Sequence, residues 1–369
     1  MLGIIVLIVF GLIMIYSSSS YTAQITYNDA AYFVKNQAKY AAVGAVLLFI
    51  CARFINYKWL CDLSEWGYAF ALILAILTLV VGREINGTKR WLGIGGFSFQ
   101  PAEIIKIILI VFLAQMIVHS KKRMDTTIGL LFVWALALIP AGLVGYNSLT
   151  SGIVLILITA AMTYVATDVK WIYLIILVCG ILLIVFRKPV TLFVTSLGIF
   201  KPYQMNRFLV WVEPEAHPLD GGYQVLQGLY AIGSGGVFGK GLGQSIQKLG
   251  FIPEAQNDMI FTIICEELGF IGALFVIVLY IFVILKIKAI AESVRSKRGK
   301  LICVGVASHI AIQAVLNIAV ACNVIPNTGV TLPFISCGGT SLVCLMIEIG
   351  IVLNISRSTV YEVSREERS

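Results

Sequence analysis

The chain contains little charge. Of its 369 residues, only 12% are Asp, Glu, Lys or Arg, whereas 59% are hydrophobic, and the mean hydropathy is +0.94. A soluble protein of this length needs far more charge to cover its surface. The composition therefore excludes an ordinary soluble protein and predicts a polytopic membrane protein.

Histidine is scarce, and the cysteines form no motif. The three histidines, His119, His217 and His309, lie far apart in the sequence, which argues against a histidine metal cluster. The eight cysteines contain no C-x-x-C spacing and lie mostly in apolar runs, so we interpret them as small core residues. The net charge of +8 comes from cations scattered between apolar runs, a pattern that argues against a nucleic-acid-binding face.

Long apolar runs are abundant. Runs of about 17–25 residues can cross a bilayer as helices, because a helix satisfies its own backbone hydrogen bonds in lipid. We predict an all-α fold, a single transmembrane domain over 1–369, in which we interpret the first run as a retained span because it lacks a basic n-region and a cleavage site. The ten predicted spans lie near 2–18, 38–54, 64–82, 102–119, 127–146, 152–167, 171–187, 259–286, 301–322 and 338–356.

The short loops that are rich in Lys and Arg predict the orientation. With ten spans these loops and both termini share one side, which the positive-inside rule makes cytoplasmic, including a tail over 357–369. The segments 83–101, 188–258 and 323–337 then face outward. The cytoplasmic cations are Lys121, Lys122, Arg123, Lys286, Lys288, Arg295, Lys297, Arg298, Lys300, Arg357, Arg365 and Arg368.

The outward segment 83–101 contains glycines that favour turns, then Pro101 at the start of the fourth span. Glu103 and Lys106 have i, i+3 spacing, so we predict an ion pair on one helix face. Lys89, Arg90 and Trp91 are open to two interpretations, as residues that bind substrate or as an interfacial anchor.

The long outward segment 188–258 contains the sequence GSGGVFGKGLG around Lys240. This is not a P-loop, because Gly241 stands where Ser or Thr is required. Residues 222–232 have helical spacing, which predicts an interfacial or re-entrant helix. Lys240 and Lys248 beside a flexible backbone could bind a phosphate, or the loop is only a connector.

The stretch FIPEAQNDMIFTIICEELG, 251–269, places carboxylates in and beside an apolar helix. We predict that Asn257 caps this helix and that Asp258 lies in its first turn. Asp258 is either only a favourable helix start, since the helix dipole favours a carboxylate there, or a general base whose pKa is tuned by burial, and we favour the base. Glu266 would lie about 12 Å deeper, too far to act with Asp258. Glu266 and Glu267 are predicted to form structural ion pairs, with Lys106 as one candidate partner.

Prolines and glycines interrupt the last apolar region, over 323–342. Irregular backbone at membrane depth is tolerated only where protein or water covers it. We favour a re-entrant loop that lines a cavity over a kinked entry to the last span.

These segments, in this order, resemble the SEDS family (shape, elongation, division and sporulation), over nearly the whole chain. The combination of motifs is highly specific. They are Lys89-Arg90-Trp91, Gln100-Pro101-Ala102-Glu103, Lys106, Gly222-Tyr223-Gln224, Gly233–Gly243, Ser245–Lys248, Pro253-Glu254-Ala255, Asp258, Glu266-Glu267-Leu268-Gly269, Pro326, Thr328-Gly329, Leu332-Pro333-Phe334, Ser336 and Gly338-Gly339.

The resemblance implies a ten-span peptidoglycan glycosyltransferase that polymerises lipid II at the outer face of the cytoplasmic membrane. Asp258 matches the aspartate that the family needs as base, Trp91 a tryptophan needed for activity, and Glu103 with Lys106 an intramembrane charged pair. MIYSSSSY in the first span and YFVKNQ before the second resemble the division and sporulation branch (FtsW, SpoVE) more than the elongation branch (RodA).

The chain also departs from the family pattern. Many members have Pro-Asp before the sixth predicted span, where this chain has Tyr146-Asn147-Ser148-Leu149-Thr150, so no role of that Asp is carried over.

Several functional questions stay open on the sequence. Arg207, Lys240, Lys248 or a divalent cation, Mg²⁺ or Mn²⁺, would neutralise the leaving pyrophosphate. The implied partners are lipid II, a class B penicillin-binding protein transpeptidase, and division or sporulation proteins. The alternatives are a lipid II flippase, a scaffold that recruits the transpeptidase, and a RodA-type elongation polymerase.

Overall fold

The computed structural model describes residues 1–85, 88–94, 97–120, 126–196 and 202–366 of the chain. Contacts between backbone atoms divide the chain into two compact units. The first unit comprises Met1–Ala38, Trp171–Tyr280 and Gln313–Gly338, and the second comprises Lys39–Lys170, Ile281–Ile312 and Gly339–Ser369.

Eight helices in the described residues are long and apolar enough to cross a membrane. In chain order the helices are α1 (Leu2–Tyr27), α2 (Tyr32–Arg53), α3 (Tyr57–Asp62), α4 (Ser64–Val81), α5 (Pro101–His119), α6 (Thr127–Asn147), α7 (Leu149–Ala166), α8 (Trp171–Val185), α9 (Arg187–Ser196), α10 (Pro202–Val212), α11 (Gly222–Gly235), α12 (Ile260–Ser293), α13 (Lys297–Ala321) and α14 (Gly339–Glu366). The eight are α1, α4, α5, α6, α7, α12, α13 and α14, the last over Gly339–Thr359.

Each of the ten predicted spans falls on a helix, and the fold is an all-α polytopic membrane fold. Two predicted spans lie outside the eight. The seventh is a bent pair, α8 and the start of α9, with an angle of 92° at the break, which makes a ninth span if it crosses as one. The second lies in α2, whose polar first half, with Lys35, Gln37 and Lys39, lowers its hydropathy. The predicted cytoplasmic cations Lys121, Lys122, Arg123 and Arg368 lie outside the described residues.

The second unit contains a small antiparallel sheet that the turn-rich sequence did not predict. Strands β1 (Arg83–Ile85), β2 (Thr88–Ile94) and β3 (Phe97–Phe99) pair in the order β1-β2-β3. Arg83 lies opposite Trp91, and Leu92 lies opposite Phe99. The dipeptides that separate the strands in sequence, Asn86-Gly87 and Gly95-Gly96, are typical hairpin signals, although these residues themselves lie outside the described ranges.

The helices of the second unit pack closely because small residues let their backbones approach. A Cβ on Gly152 of α7 would lie 2.8 Å from the Ala141 carbonyl oxygen of α6. The rings of Tyr68 and Phe112 stack at 4.3 Å between α4 and α5. As predicted, Pro101 occupies the first turn of α5, where a missing N–H costs no helical hydrogen bond.

In the first unit, α12 is broken at Gly269, whose φ and ψ are 65° and −162°. The glycine-rich loop after α11 satisfies the backbone groups that this break frees. Lys240 N donates to the Glu266 carbonyl at 3.0 Å, and Phe270 N donates to the Gly236 carbonyl at 2.9 Å. The loop therefore packs against the break in α12 and is not a free connector.

The long segment of the first unit is helical over much of its length. Helix α11 confirms the helix predicted at 222–232, whereas α9 and α10 were not predicted. The irregular stretch between α13 and α14 is covered by protein, with Leu332, Phe334 and Ile335 buried and the Tyr280 hydroxyl donating to the Pro333 carbonyl. Helix α14 continues into the predicted tail, as far as Glu366.

Candidate functional site

Asp258 lies just before α12, not in its first turn. The helix begins at Ile260, and the Asn257 side chain donates to the Glu254 carboxylate at 2.8 Å instead of capping the helix. The predicted cap is therefore wrong, because the preceding residues form consecutive turns that engage Asn257 locally. Asp258 does not owe its properties to a position inside the helix.

The Asp258 carboxyl is tuned by burial. Burial raises its pKa from the ordinary value of 3.8 to about 6, while its own backbone N–H and the positive charge of Arg207 lower it, and the charge of Glu254 raises it. Arg207 lies on α10, so this helix brings a cation within electrostatic reach of the carboxylate. A carboxylate with a pKa close to neutral can accept a proton during a reaction.

The irregular stretch after α13 borders Asp258. A Cβ added to Gly329 would lie 3.8 Å from Asp258 Oδ2, and Gly329 has a left-handed φ of 68°. The Gly329 N–H is held by the Asn327 side chain at 3.2 Å, and Asn327 in turn contacts Gln224 of α11. Glycine leaves the carboxylate face open at a backbone conformation that other residues rarely adopt.

Two amide side chains of α13 hold this stretch. Asn317 Nδ2 donates to the Asp258 carbonyl at 2.8 Å and to the Val330 carbonyl at 2.7 Å. One turn earlier, Gln313 Nε2 donates to the Thr331 carbonyl at 3.2 Å. Neither amide was predicted as a site residue, although their i, i+4 spacing inside an apolar span was a signal in the sequence.

Glu266 is fully buried in ion-pair contact with Lys240 at 2.7 Å. Its carboxylate also accepts hydrogen bonds from the Ser245 hydroxyl and from Ile246 N. The ion pair that was predicted for Glu266 is therefore present. Its partner is Lys240, an expected pyrophosphate ligand, whose charge is thus already paired with a carboxylate.

Glu267 forms a second buried cluster beside the first. Lys248 Nζ binds Glu267 at 2.8 Å and the Ser17 hydroxyl oxygen at 3.2 Å, and the Ser17 hydroxyl donates to Glu267 at 2.7 Å. Lys248, an expected pyrophosphate ligand, is therefore buried and already holds a carboxylate. The candidate Lys106 partner is corrected, since Lys106 pairs with Glu103.

In the second unit, Lys89, Arg90 and Trp91 lie on β2, and all three are half-buried. Asn147 at the end of α6 holds this strand: its Nδ2 donates to the Lys89 carbonyl at 2.8 Å, and Arg90 Nε donates to the Asn147 carbonyl at 3.0 Å. Lys89 Nζ reaches the Val80 carbonyl at 3.4 Å. The strand is therefore tied to two helices of its own unit.

Two buried pairs of ionisable side chains lie inside the helices of the second unit. Glu103 and Lys106 pair at 2.8 Å on α5, as their spacing predicted, and both are buried. His309 on α13 and Glu348 on α14 form a second pair at 2.9 Å, with both side chains fully buried. Glu348 was missed, although an ionisable residue within an apolar span is a signal in itself.

No group of three or more His, Cys, Asp or Glu side chains that could hold a metal ion occurs within the described ranges. A Mg²⁺ site needs fewer protein ligands, because Mg²⁺ binds through one or two carboxylates together with substrate phosphates. Glu254, an exposed carboxylate whose charge acts on Asp258, fits that donor set.

Comparison with known proteins extends these observations to the whole chain. A family model described as cell cycle protein, FTSW_RODA_SPOVE, matches residues 1–361. Stage V sporulation protein E of Bacillus subtilis (strain 168) is 33% identical over 369 aligned residues, which cover 97% of this chain and 96% of that protein. The probable peptidoglycan glycosyltransferase FtsW of the same organism is 34% identical, with 99% and 92% covered.

Solved structures have the same fold. A chain from a peptidoglycan synthase complex, solved to show structural coordination of polymerization and crosslinking, matches with a TM-score of 0.77 and 26% identity, covering 97% of this chain and 98% of that one. The rod shape determining protein RodA of Thermus thermophilus matches in fold with a TM-score of 0.67 at 24% identity, with 97% and 95% covered.

Proposed function

The chain belongs to the cell cycle protein family of FtsW, RodA and SpoVE, and from that premise we propose that it is a peptidoglycan glycosyltransferase that polymerises lipid II into β-1,4-linked glycan strands. The observation that carries the proposal is Asp258, a carboxylate whose pKa burial raises to about 6, beside the cation Arg207. Relatives named as peptidoglycan glycosyltransferases, similar over almost the whole chain, support the reaction class.

In the proposed reaction, Asp258 accepts the proton of the C4 hydroxyl of an acceptor sugar. The oxygen attacks C1 of the donor sugar, and the bond between C1 and the pyrophosphate oxygen breaks, so that the lipid pyrophosphate leaves with the bonding electrons. A positioned general base typically accelerates such a step about 10²–10⁴-fold. Ionised Asp258 is therefore the active form.

The leaving pyrophosphate needs positive charge. We assign Arg207 to the pyrophosphate because its positive charge acts on Asp258, where the leaving group would form. Lys240 and Lys248 hold Glu266 and Glu267. A divalent cation, Mg²⁺ or Mn²⁺, bound by pyrophosphate oxygens and Glu254 would supply further positive charge. Lys89, Arg90 and Trp91 on β2 keep their predicted role as substrate-binding or activity-supporting residues.

The remaining assignments follow the predicted topology. The active site faces outward and both termini face the cytoplasm, because the Lys- and Arg-rich loops then lie inside. A class B penicillin-binding protein transpeptidase is the proposed partner, as polymerization and crosslinking are coordinated in the similar synthase complex. The 33–34% identity to relatives named SpoVE and FtsW supports a role in division or sporulation.

The deciding experiment compares purified wild type with Asp258→Asn on labelled lipid II, with and without the cognate transpeptidase and with and without EDTA. We expect Asp258→Asn to lose at least about 100-fold in polymerisation rate and EDTA to lower the wild-type rate until Mg²⁺ is restored. At pH 7 the variant should be at least as thermostable as the wild type, because the buried charge, a cost to the folded state, is gone.

The same experiment separates the alternatives. Equal polymerisation by both proteins would remove Asp258 from catalysis. If neither protein polymerises even with the transpeptidase, a scaffold or a flippase is favoured, and translocation of labelled lipid II in proteoliposomes distinguishes the two. A wild-type rate that EDTA leaves unchanged would remove the divalent cation.

A further inference from the structure

We propose that Asn317 is a positioning residue for Asp258, an amide clamp that sets where the carboxylate stands relative to the irregular stretch 323–338. The inference deepens the proposed function and rests on it. Asn317 lies on α13 and is fully buried, and its single amino group donates to the Asp258 and Val330 carbonyls. One side chain therefore holds both the base and the stretch that borders it.

The geometry fixes which way round the amide lies. Both partners of Nδ2 are carbonyl oxygens, at 2.8 and 2.7 Å, so rotating the amide by half a turn would place oxygen against oxygen. Asn317 contacts the backbone carbonyl of Asp258 and not its carboxylate, so this hydrogen bond does not occupy the oxygens that would accept a substrate proton. A hydrogen bond to the backbone can position the base without competing with the substrate for the carboxylate oxygens.

The same side chain has an unpaired acceptor. Asn317 Oδ1 is buried and has no hydrogen-bond partner among the described residues. Buried polar atoms are almost always paired, and an unpaired one in a native fold requires an explanation. A residue with a purely stabilising role would not leave a buried acceptor without a hydrogen bond. A side chain that must donate hydrogen bonds to two carbonyls here needs an NH₂ group, and Asn is the smallest residue that carries one.

Gln313 provides a matched control within the same helix. It lies one turn earlier on α13, is also buried, and donates to Thr331, the residue after Val330. Gln313→Ala removes one anchor of the irregular stretch but leaves the hydrogen bond from Asn317 to the Asp258 carbonyl in place. A comparison of Asn317→Ala with Gln313→Ala thus distinguishes two effects: loss of an anchor of the irregular stretch, and loss of the hydrogen bond that positions Asp258.

The test measures lipid II polymerisation by the full chain from pH 4.5 to 8.5 for wild type, Asn317→Ala and Gln313→Ala. We expect Asn317→Ala to lower kcat about 10–100-fold with little change in KM, as a misplaced reacting group does. The acid limb of its pH–rate profile should move about one pH unit lower. Without the hydrogen bond from Asn317, the Asp258 carboxyl becomes more exposed to solvent and its pKa falls. Gln313→Ala should lose less than about 5-fold and keep the wild-type acid limb.

An unchanged acid limb in Asn317→Ala, with a loss equal to that of Gln313→Ala, would reduce Asn317 to a structural residue and overturn the proposal. If Asn317→Ala does not fold, Asn317→Ser decides: its hydroxyl can donate to only one carbonyl, so we expect intermediate kcat and an intermediate acid limb. If neither variant folds, the role is in folding and the proposal is wrong. Full activity of Asp258→Asn would instead contradict the proposed function.

Discussion

At the scale of single residues, the ionisation of Asp258 decides when the site can act as a base. Burial raises the pKa of its carboxyl to about 6, and the base works only when ionised. We therefore expect the polymerisation rate to rise with pH through about 6 and to fall about tenfold per pH unit well below it. A pH–rate profile of kcat/KM for the purified protein measures this.

The two charged neighbours of Asp258 allow a control of opposite sign. Arg207 lowers the pKa of Asp258 and Glu254 raises it, so Arg207→Gln should move the acid limb to higher pH and Glu254→Gln should move it to lower pH. Shifts of both variants in the same direction would show that the acid limb belongs to another group.

The buried pair of His309 and Glu348 leads to a second prediction at this scale. Glu348 accepts from His309 Nδ1 at 2.9–3.0 Å, so removing either partner leaves a buried polar group without its counterpart. We expect His309→Phe or Glu348→Leu alone to cost about 3–5 kcal/mol, and the double variant to recover most of that loss. Thermal unfolding of the four proteins in detergent completes the double-mutant cycle, and additive losses would contradict coupling between the pair.

At the scale of elements, the union of α11, the glycine-rich loop and the broken α12 depends on close backbone approach. A Cβ on Gly235 would lie 1.9 Å from the Cys265 carbonyl oxygen, a contact with backbone that no side-chain rotation relieves. We expect Gly235→Ala to lower stability by about 1–3 kcal/mol or more and to abolish polymerisation. The substitution would displace the glycine-rich loop, so the backbone groups at the break in α12 would lose their hydrogen bonds.

Gly233 on the same helix is the control. A Cβ there meets nothing within 4 Å, so Gly233→Ala should keep activity and gain up to about 1 kcal/mol through its better helix propensity. Thermal unfolding and polymerisation assays of both variants test the comparison. Similar losses in the two variants would mean that helix flexibility, and not close approach, is what these glycines provide.

The elements also show which features a sequence can predict. Helix positions follow from apolar runs, and the Glu103–Lys106 pair follows from i, i+3 spacing within one helix. The break at Gly269 was invisible because the apolar run continues through it, and the pairing of Glu266 with Lys240 brings together residues 26 positions apart. The i, i+4 spacing of Gln313 and Asn317 marks them as polar residues inside an apolar span, but the hydrogen bond from Asn317 to Asp258 joins residues 59 positions apart and could not be predicted.

At the scale of the whole molecule, the number of spans before the segment 188–258, odd or even, decides on which side of the membrane Asp258 lies. The bent pair of α8 and α9 is the critical element, because its 92° break is compatible with one crossing or with none. A crossing gives ten spans in total with α2, whereas a return to the same side would place the Lys- and Arg-rich connection between α12 and α13 outside. The positive-inside rule favours the crossing.

We therefore expect the termini on one side and the long segment on the other. Alkaline phosphatase inserted after Leu219, which is 99% exposed, should be active outside the cytoplasmic membrane, and green fluorescent protein at either terminus should fluoresce inside. An inactive insertion together with a non-fluorescent C-terminal fusion would mean that α8 and α9 do not cross. Asp258 and Arg207, which lie in this long segment, would then face the cytoplasm and could not act on an outward-facing substrate.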